Sequence, residues 1–367
     1  MQRRTLLGGA AGAAALTVLS ARPAAAAGPA PVLTPSASPN AGLNNLFNTY
    51  GNSGVGWTGA DSTYSTSLPG GKRLWIYSDT FLGPVNPDLS RPMDVPFLRN
   101  SMIVQNGRKL TTIHGGTAAE PTTLLAPDDP TRWWWVGAGI TLGGVLYQTV
   151  VEFGRTGDGP WDFAWMGNHL ARMSVGRLNR VIDIRPLPSS IEVTWASWLQ
   201  PIGNYLYIYG VEDLGASKYL HVARAAGRNP LGRWQYWTGS GWSTSEADSA
   251  RVLEGVSNEY SVTPWRGQWL LVTQDTTELF STKIVGYLGG SPTGPFTGKT
   301  LLYNTPETGL LGSYGNPNVF TYNPHVHPEL STDRKLVVSY NVNSFNGQDL
   351  YDDVTIYRGR FVDVNLA

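Results

Sequence analysis

One layout recurs five times along this chain: a polar residue, a short strand, a turn holding Gly, Asp or Asn, and a strand of aromatic or aliphatic residues. The five segments are Asp61–Asp79, Glu120–Val136, Trp195–Asp213, Glu259–Asp275 and His325–Asn341. Measured from the middle of each second strand, at Trp75, Trp134, Tyr207, Leu271 and Val338, they lie 59, 73, 64 and 67 residues apart. A unit that cannot bury its apolar face alone has to stack on its neighbours, and four-stranded units set radially make a β-propeller. The expected fold is all-β: a single five-bladed β-propeller domain over residues 42–367. A pair of β-sandwich domains is the alternative, because short strands alone do not separate the two; the matched hairpins favour the propeller. Beyond Gly42 no window shows a convincing amphipathic helical pattern.

Composition removes several function classes. The 27 basic and 27 acidic side chains cancel, so the chain lacks the positive field that attracts nucleic acid or anionic lipid. With no Cys there is no thiol nucleophile, no disulfide and no Cys-ligated zinc. The sequence Gly-x-Ser-x-Gly does not occur, which argues against a serine triad hydrolase.

The first 27 residues read as an export signal. Arg3 and Arg4 are paired in a basic start, Thr5 to Ser20 is an apolar run too short to span a bilayer, and Ala24 to Ala27 offers small residues for cleavage. Paired arginines point to the twin-arginine route, which carries folded chains, and hence to a secreted protein with no membrane partner after signal removal. Residues 28–41, rich in Pro, Ala and Ser, read as a flexible lead-in. Ring closure is expected between the region after Asn44 and the strands ending near Val364.

The polar residue opening each repeat is a candidate for the central channel of a propeller, where first strands line the axis. These are Asp61, Glu120, Trp195, Glu259 and His325 or His327. Carboxylates for acid and base, an aromatic face for a sugar ring and an imidazole for a hydroxyl are the inventory of a sugar-cleaving pocket. Each of these residues can equally serve to satisfy backbone groups at a strand start. Asp79 and Asp275 close the first and fourth repeats, where an Asx turn is the ordinary role for Asp. Asp61 and Asp79, however, come from one hairpin, and close carboxylates raise each other's proton affinity, so that one can act as acid while the other acts as base. His325 and His327 share a strand face, but no carboxylate-rich ligand set surrounds them, and no metal or other cofactor is expected. Trp133, Trp134 and Trp135 cannot all face one way and read as packing between units.

The segments Gly56-Trp57-Thr58-Gly59-Ala60-Asp61, Leu74-Trp75-Ile76-Tyr77-Ser78-Asp79-Thr80-Phe81 and Arg99-Asn100-Ser101 resemble a family of secreted bacterial five-bladed propellers, formerly a domain of unknown function. That family includes endo-D-arabinanases, which cleave the D-arabinan of mycobacterial and related cell walls. His327-Pro328-Glu329-Leu330 and Ser339-Tyr340-Asn341-Val342-Asn343 resemble its last blade. The resemblance implies that Asp61 and Asp79 are the catalytic acids, with Arg99, Asn100, Glu120, Trp195, Glu259 and His327 around the substrate. Where relatives carry an acid after the second aromatic strand, this chain has Val136-Gly137-Ala138-Gly139, which bears on substrate choice. The expected activity is that of a secreted, monomeric glycoside hydrolase cleaving arabinofuranosyl linkages in an arabinan or arabinogalactan. A noncatalytic glycan-binding propeller and a polysaccharide lyase are the alternatives.

Overall fold

The computed structural model describes residues 32–159 and 162–367. The expected export signal, residues 1–27, lies outside the described residues. The described chain is all-β, and its main strands form five antiparallel sheets taken in chain order. The first runs Tyr64–Leu68, Lys72–Tyr77, Ser101–Asn106, Lys109–Ile113; the second runs Arg132–Leu142, Val145–Arg155, Phe163–Ser174, Val181–Pro186. The third runs Val193–Ile202, Tyr205–Asp213, Lys218–Ala226, Trp234–Trp237, with short additions; the fourth runs Ser261–Trp265, Gln268–Gln274, Lys283–Gly289, Phe296–Asn304. The fifth takes Val319–Val326, Lys335–Ser344 and Arg360–Leu366 from late in the chain and Pro35–Pro39 from its start.

The first strands of these sheets touch in cyclic order. Tyr64–Leu68 packs on Arg132–Leu142, which packs on Val193–Ile202, which packs on Ser261–Trp265, which packs on Val319–Val326. The circle closes where His325 Nε2 lies 3.1 Å from the Thr63 carbonyl and His327 Nδ1 lies 2.5 Å from Ser65 Oγ. Apolar side chains fill the spaces between neighbouring sheets. Leu270, Val272, Leu336 and Val338, for example, form one core between the fourth and fifth sheets. Burial of sheet faces against sheet faces supplies the main stabilisation, at roughly 25 cal/mol per Å² of apolar surface removed from water.

Three observations correct the sequence reading. Residues 35–39, assigned to a flexible lead-in, form a strand paired antiparallel with Arg360–Leu366, with Pro35 opposite Leu366 and Pro39 opposite Val362. The two prolines are tolerated because this is an edge strand, where a missing N–H costs no ladder bond. Closure is thus made ahead of Asn44 rather than after it.

Ala41–Asn52 is an α-helix that the sequence reading did not anticipate. Asn40 caps it by accepting from Leu43 N at 2.9 Å, and Leu43, Leu46, Phe47 and Tyr50 make the i, i+3, i+4, i+7 stripe. Its Asn and Gly content weakens the intrinsic preference, so packing decides: Phe47 meets Trp57 and Trp75 edge-on at 5.7 and 5.0 Å. The buried Arg358 guanidinium ties the helix down, donating to Asn52 Oδ1 and the Thr58 carbonyl, both at 2.7 Å. Gly51 is required there, since a Cβ would sit 2.8 Å from Arg358 Cζ.

The second repeat was set one strand too early. Trp133 to Val136 belongs to the first strand of its sheet, not the second, and turns at Gly143-Gly144, both with positive φ, into Val145–Arg155. Among the described residues no helix is long and apolar enough to cross a bilayer.

Candidate active site

A cavity of about 1380 Å³ opens where the first strands converge. Asp61 and Asp79 both line it. Asp61 follows a short strand, Trp57–Ala60, and Asp79 precedes that strand's partner, Thr80–Leu82. Their backbones are bonded, Asp61 N donating to the Asp79 carbonyl at 3.3 Å, so one hairpin presents both carboxyl groups. Immediately after Asp61 the chain swings into the first sheet through Ser62 and Thr63, both in the left-handed region at φ 70° and 49°. Two consecutive non-glycine residues there carry strain that the surrounding contacts hold in place.

The partners of the two carboxyls differ. Asp79 accepts from Arg99 Nη1 at 3.1 Å and from Trp135 Nε1 at 2.8 Å. Arg99 in turn lies over the Trp133 ring, 4.6 Å from its centroid. Asp61 Oδ2 accepts from the Tyr322 hydroxyl at 2.9 Å, while Oδ1 is shut off from solvent with no partner. Burial, and then the charge of Asp79, push the Asp61 carboxyl up to about 7, against the pull of the Tyr322 and Tyr357 hydroxyls. Burial also raises Asp79, but there the Arg99 guanidinium and the Trp135 indole favour the ionised form. Glu259 is a third carboxyl on the cavity wall, raised well above its ordinary value by burial and by Asp61.

Of the remaining expected site residues, Arg99 and Glu259 face the cavity and four do not. Glu120 is exposed on a surface turn, where its N–H donates to Thr117 Oγ at 3.1 Å; the shifted second repeat is the reason it was placed at the axis. Trp195 is buried on the opposite face of its strand, donating Nε1–H to Glu246 at 2.7 Å, while its neighbours Thr194 and Ala196 line the cavity. Strand alternation makes that outcome an either-or that period-two patterning alone does not decide. Asn100 is a buried bracket between chain segments, donating to the Leu125 and Trp134 carbonyls at 2.7 and 2.9 Å. His327 is fully buried behind the first sheet, 5.1 Å from the Trp75 ring. Asp275 does reach the cavity, but its Oδ1 accepts from Thr277 Oγ at 2.6 Å in the expected Asx arrangement, and Oδ2 pairs with Lys299 at 2.5 Å.

Four contributors were not anticipated. Tyr322 sits upstream of the segment taken as the last repeat, and Tyr357 comes from a short 3₁₀ turn, Val354–Tyr357. Trp133 and Trp135, read as packing residues, alternate into the cavity and form with Phe153 and Phe163 an aromatic wall beside Asp79. Trp134 faces away into the core. Among the described residues no group of three or more His, Cys, Asp or Glu is placed to hold a metal ion.

A cyclic array of antiparallel sheets around a cavity floored by carboxyls defines the class of protein. Residues 44–365 match the family described as Domain of unknown function (DUF5005), and the chain belongs to that family. No curated protein sequence matches it significantly. Among solved structures, a presumed hydrolase from Bacteroides ovatus ATCC 8483 is 21% identical, with 91% of this chain and 93% of that chain covered at a TM-score of 0.77. A GH43_12 protein retrieved from the capybara gut metagenome is 9% identical, covering 85% and 52% at 0.50. The catalytic domain of a Coprinopsis cinerea GH62 α-L-arabinofuranosidase is 8% identical, covering 85% and 94% at 0.48. At these identities the likeness is one of fold.

Proposed function

We propose that this protein is a glycoside hydrolase built as a single five-bladed β-propeller, and that Asp61 and Asp79 are its acid and base. The observation that carries the reading is the unequal pair itself: two carboxyls from one hairpin, one beside a guanidinium and one without a cation, facing one aromatic-walled cavity. Environments that push two titratable groups apart are how a site runs acid and base chemistry at one pH. Asp61, holding its proton to about 7, is the donor to the departing glycosidic oxygen. Asp79 is the carboxylate that activates water or attacks the anomeric carbon, the two options open to a glycosidase carboxylate. Trp133 and Trp135 offer flat apolar faces to a sugar ring, and Arg99 both holds Asp79 and borders the substrate.

The motif resemblance around Asp61 and Asp79 supports arabinofuranosyl linkages of a cell-envelope polysaccharide as the substrate. The fold shared with the GH43_12 protein and the Bacteroides ovatus protein supports the wider class. We further propose export through the paired Arg3 and Arg4, and action as a secreted monomer; retention of the folded protein in the cytoplasm on changing both to Lys is the expected result. The activity is tested by incubating the protein with mycobacterial arabinogalactan, plant arabinan and xylan and sizing the products. Shortened arabinan chains are expected, and no product from any arabinan overturns the substrate.

A further inference from the structure

The Glu259 carboxyl on the cavity wall has an unusual neighbour. Glu259 Oε2 and His325 Nδ1 lie 3.6 Å apart, both shut off from solvent, and neither has a hydrogen-bond partner. The other ring nitrogen fixes what Nδ1 can be. Nε2 lies 3.1 Å from the Thr63 carbonyl, and a carbonyl only accepts, so Nε2 carries the hydrogen. In the neutral ring Nδ1 then carries a lone pair, with the Glu259 carboxyl oxygen 3.6 Å away. Two facing lone pairs repel, and a proton between them removes the conflict.

The ring has little freedom to escape that arrangement. It stacks on Tyr64 at 4.3 Å and 15°, with Trp198 at 6.4 Å and His327 at 5.4 Å. Its strand carries a bulge between Tyr322 and His325, where Asn323 sits at φ 54° and receives the Glu259 N–H on its side chain at 3.4 Å. A bulge of this kind re-aims the side chain that follows it.

We propose that Glu259 works as a neutral acid whose proton is held on Oε2 by His325 Nδ1, and that His325 is a positioning residue which keeps a further negative charge away from Asp61. This deepens the glycosidase reading and rests on it for its kinetic consequences. The titratable groups ranged about Glu259 are Asp61, Tyr64, Tyr322 and His325, none of them a base that is charged at neutral pH. Burial pushes His325 down to about 4 and Glu259 well up, both in the direction of the neutral pair. The consequence falls on Asp61. With Glu259 neutral, Asp61 titrates against Asp79 alone, and its proton is available for donation near neutral pH.

The decisive measurement is the ¹⁵N spectrum of histidine-labelled, substrate-free protein from pH 5 to 8, a readout independent of any glycan. Expected is His325 with Nε2 protonated and Nδ1 an unprotonated, hydrogen-bonded acceptor throughout, and loss of the Nδ1 hydrogen bond in Glu259→Ala. A protonated Nδ1 in the wild type overturns the proposal. Kinetics supply the second arm. Glu259→Gln, whose amide can donate to Nδ1, is expected to lose no more than about tenfold in turnover and to leave the alkaline limb of the pH profile in place. If Glu259 were ionised at working pH, Glu259→Gln would lower the Asp61 pKa and move that limb down by roughly one pH unit, and this result too overturns the proposal. Failure to cleave any glycan, with the expected ¹⁵N spectrum, removes the hydrolase reading and leaves the proton between Glu259 and His325.

Discussion

The two sides of the cavity are built from different materials. On the Asp79 side stand the Arg99 guanidinium, the Trp135 indole N–H and four aromatic rings from the second sheet. On the Asp61 side stand Tyr322, Tyr357, Glu259 and His325, with hydroxyls and a neutral ring but no cation. Equal burial therefore has unequal results: the first side compensates a charge and the second avoids one. The lesson is that residue type alone does not assign roles to an Asp pair; the partners do.

The comparison is broken most directly by removing either carboxyl. Asp61→Asn and Asp79→Asn should each fold and lose between ~100-fold and ~10,000-fold in turnover, measured on whichever arabinan the wild type shortens. Near-normal activity in either would strip that residue of its role.

A second test uses folding rather than catalysis. Folded Asp61 keeps its proton to about 7 while an unfolded Asp has lost it above 3.8, so its contribution to stability falls as pH rises between those values. Folded His325 is neutral above about 4 while an unfolded His is charged below 6.5, so its contribution rises with pH over that window. The two oppose each other in the wild type. Asp61→Asn should leave the histidine contribution exposed, so that from pH 4 to 6.5 stability gains about 3 kcal/mol relative to the wild-type trend, read by urea unfolding. An identical pH dependence would mean Asp61 is not held protonated.

Smaller effects sharpen the contrast. Arg99→Met removes the cation beside Asp79, so that carboxyl should hold its proton to higher pH and the acid limb of the activity profile should move up by roughly one pH unit. Tyr322→Phe removes a donor that favours ionised Asp61, so the alkaline limb should move up by about half a unit. A shift of the wrong limb in either variant would reverse the acid and base assignments.

Much of this was legible in the sequence. Four of the five hairpins fall where the polar-strand-turn-apolar pattern sets them, and Asp61, Asp79, Arg99 and Glu259 all reach the cavity. The second hairpin failed because an apolar run was assumed to be a second strand; Gly143-Gly144, a two-residue hairpin signal, marks the true turn. Trp195 failed for another reason. Which face of a buried strand looks inward depends on the sheets packed against it, and a strand buried on both faces shows no alternation to read. Tyr357 comes from far along the chain by way of a 3₁₀ turn, and no local pattern announces such a residue.

The strand Pro35–Pro39, which completes the fifth sheet, has a consequence for the order of events during synthesis. It emerges from the ribosome ahead of the other described strands, yet its hydrogen-bond partner, Arg360–Leu366, is made after them. Nearly the whole described chain must be closed into a loop before these two strands can meet, and contacts so distant in sequence form slowly. Until then Arg360–Leu366 has an unpaired edge, ready to template association with another chain. The first four sheets draw each strand from one continuous stretch and can assemble as they are translated. The fifth sheet is the late step, and the concentration of nascent chains during that interval governs the yield of correctly closed protein.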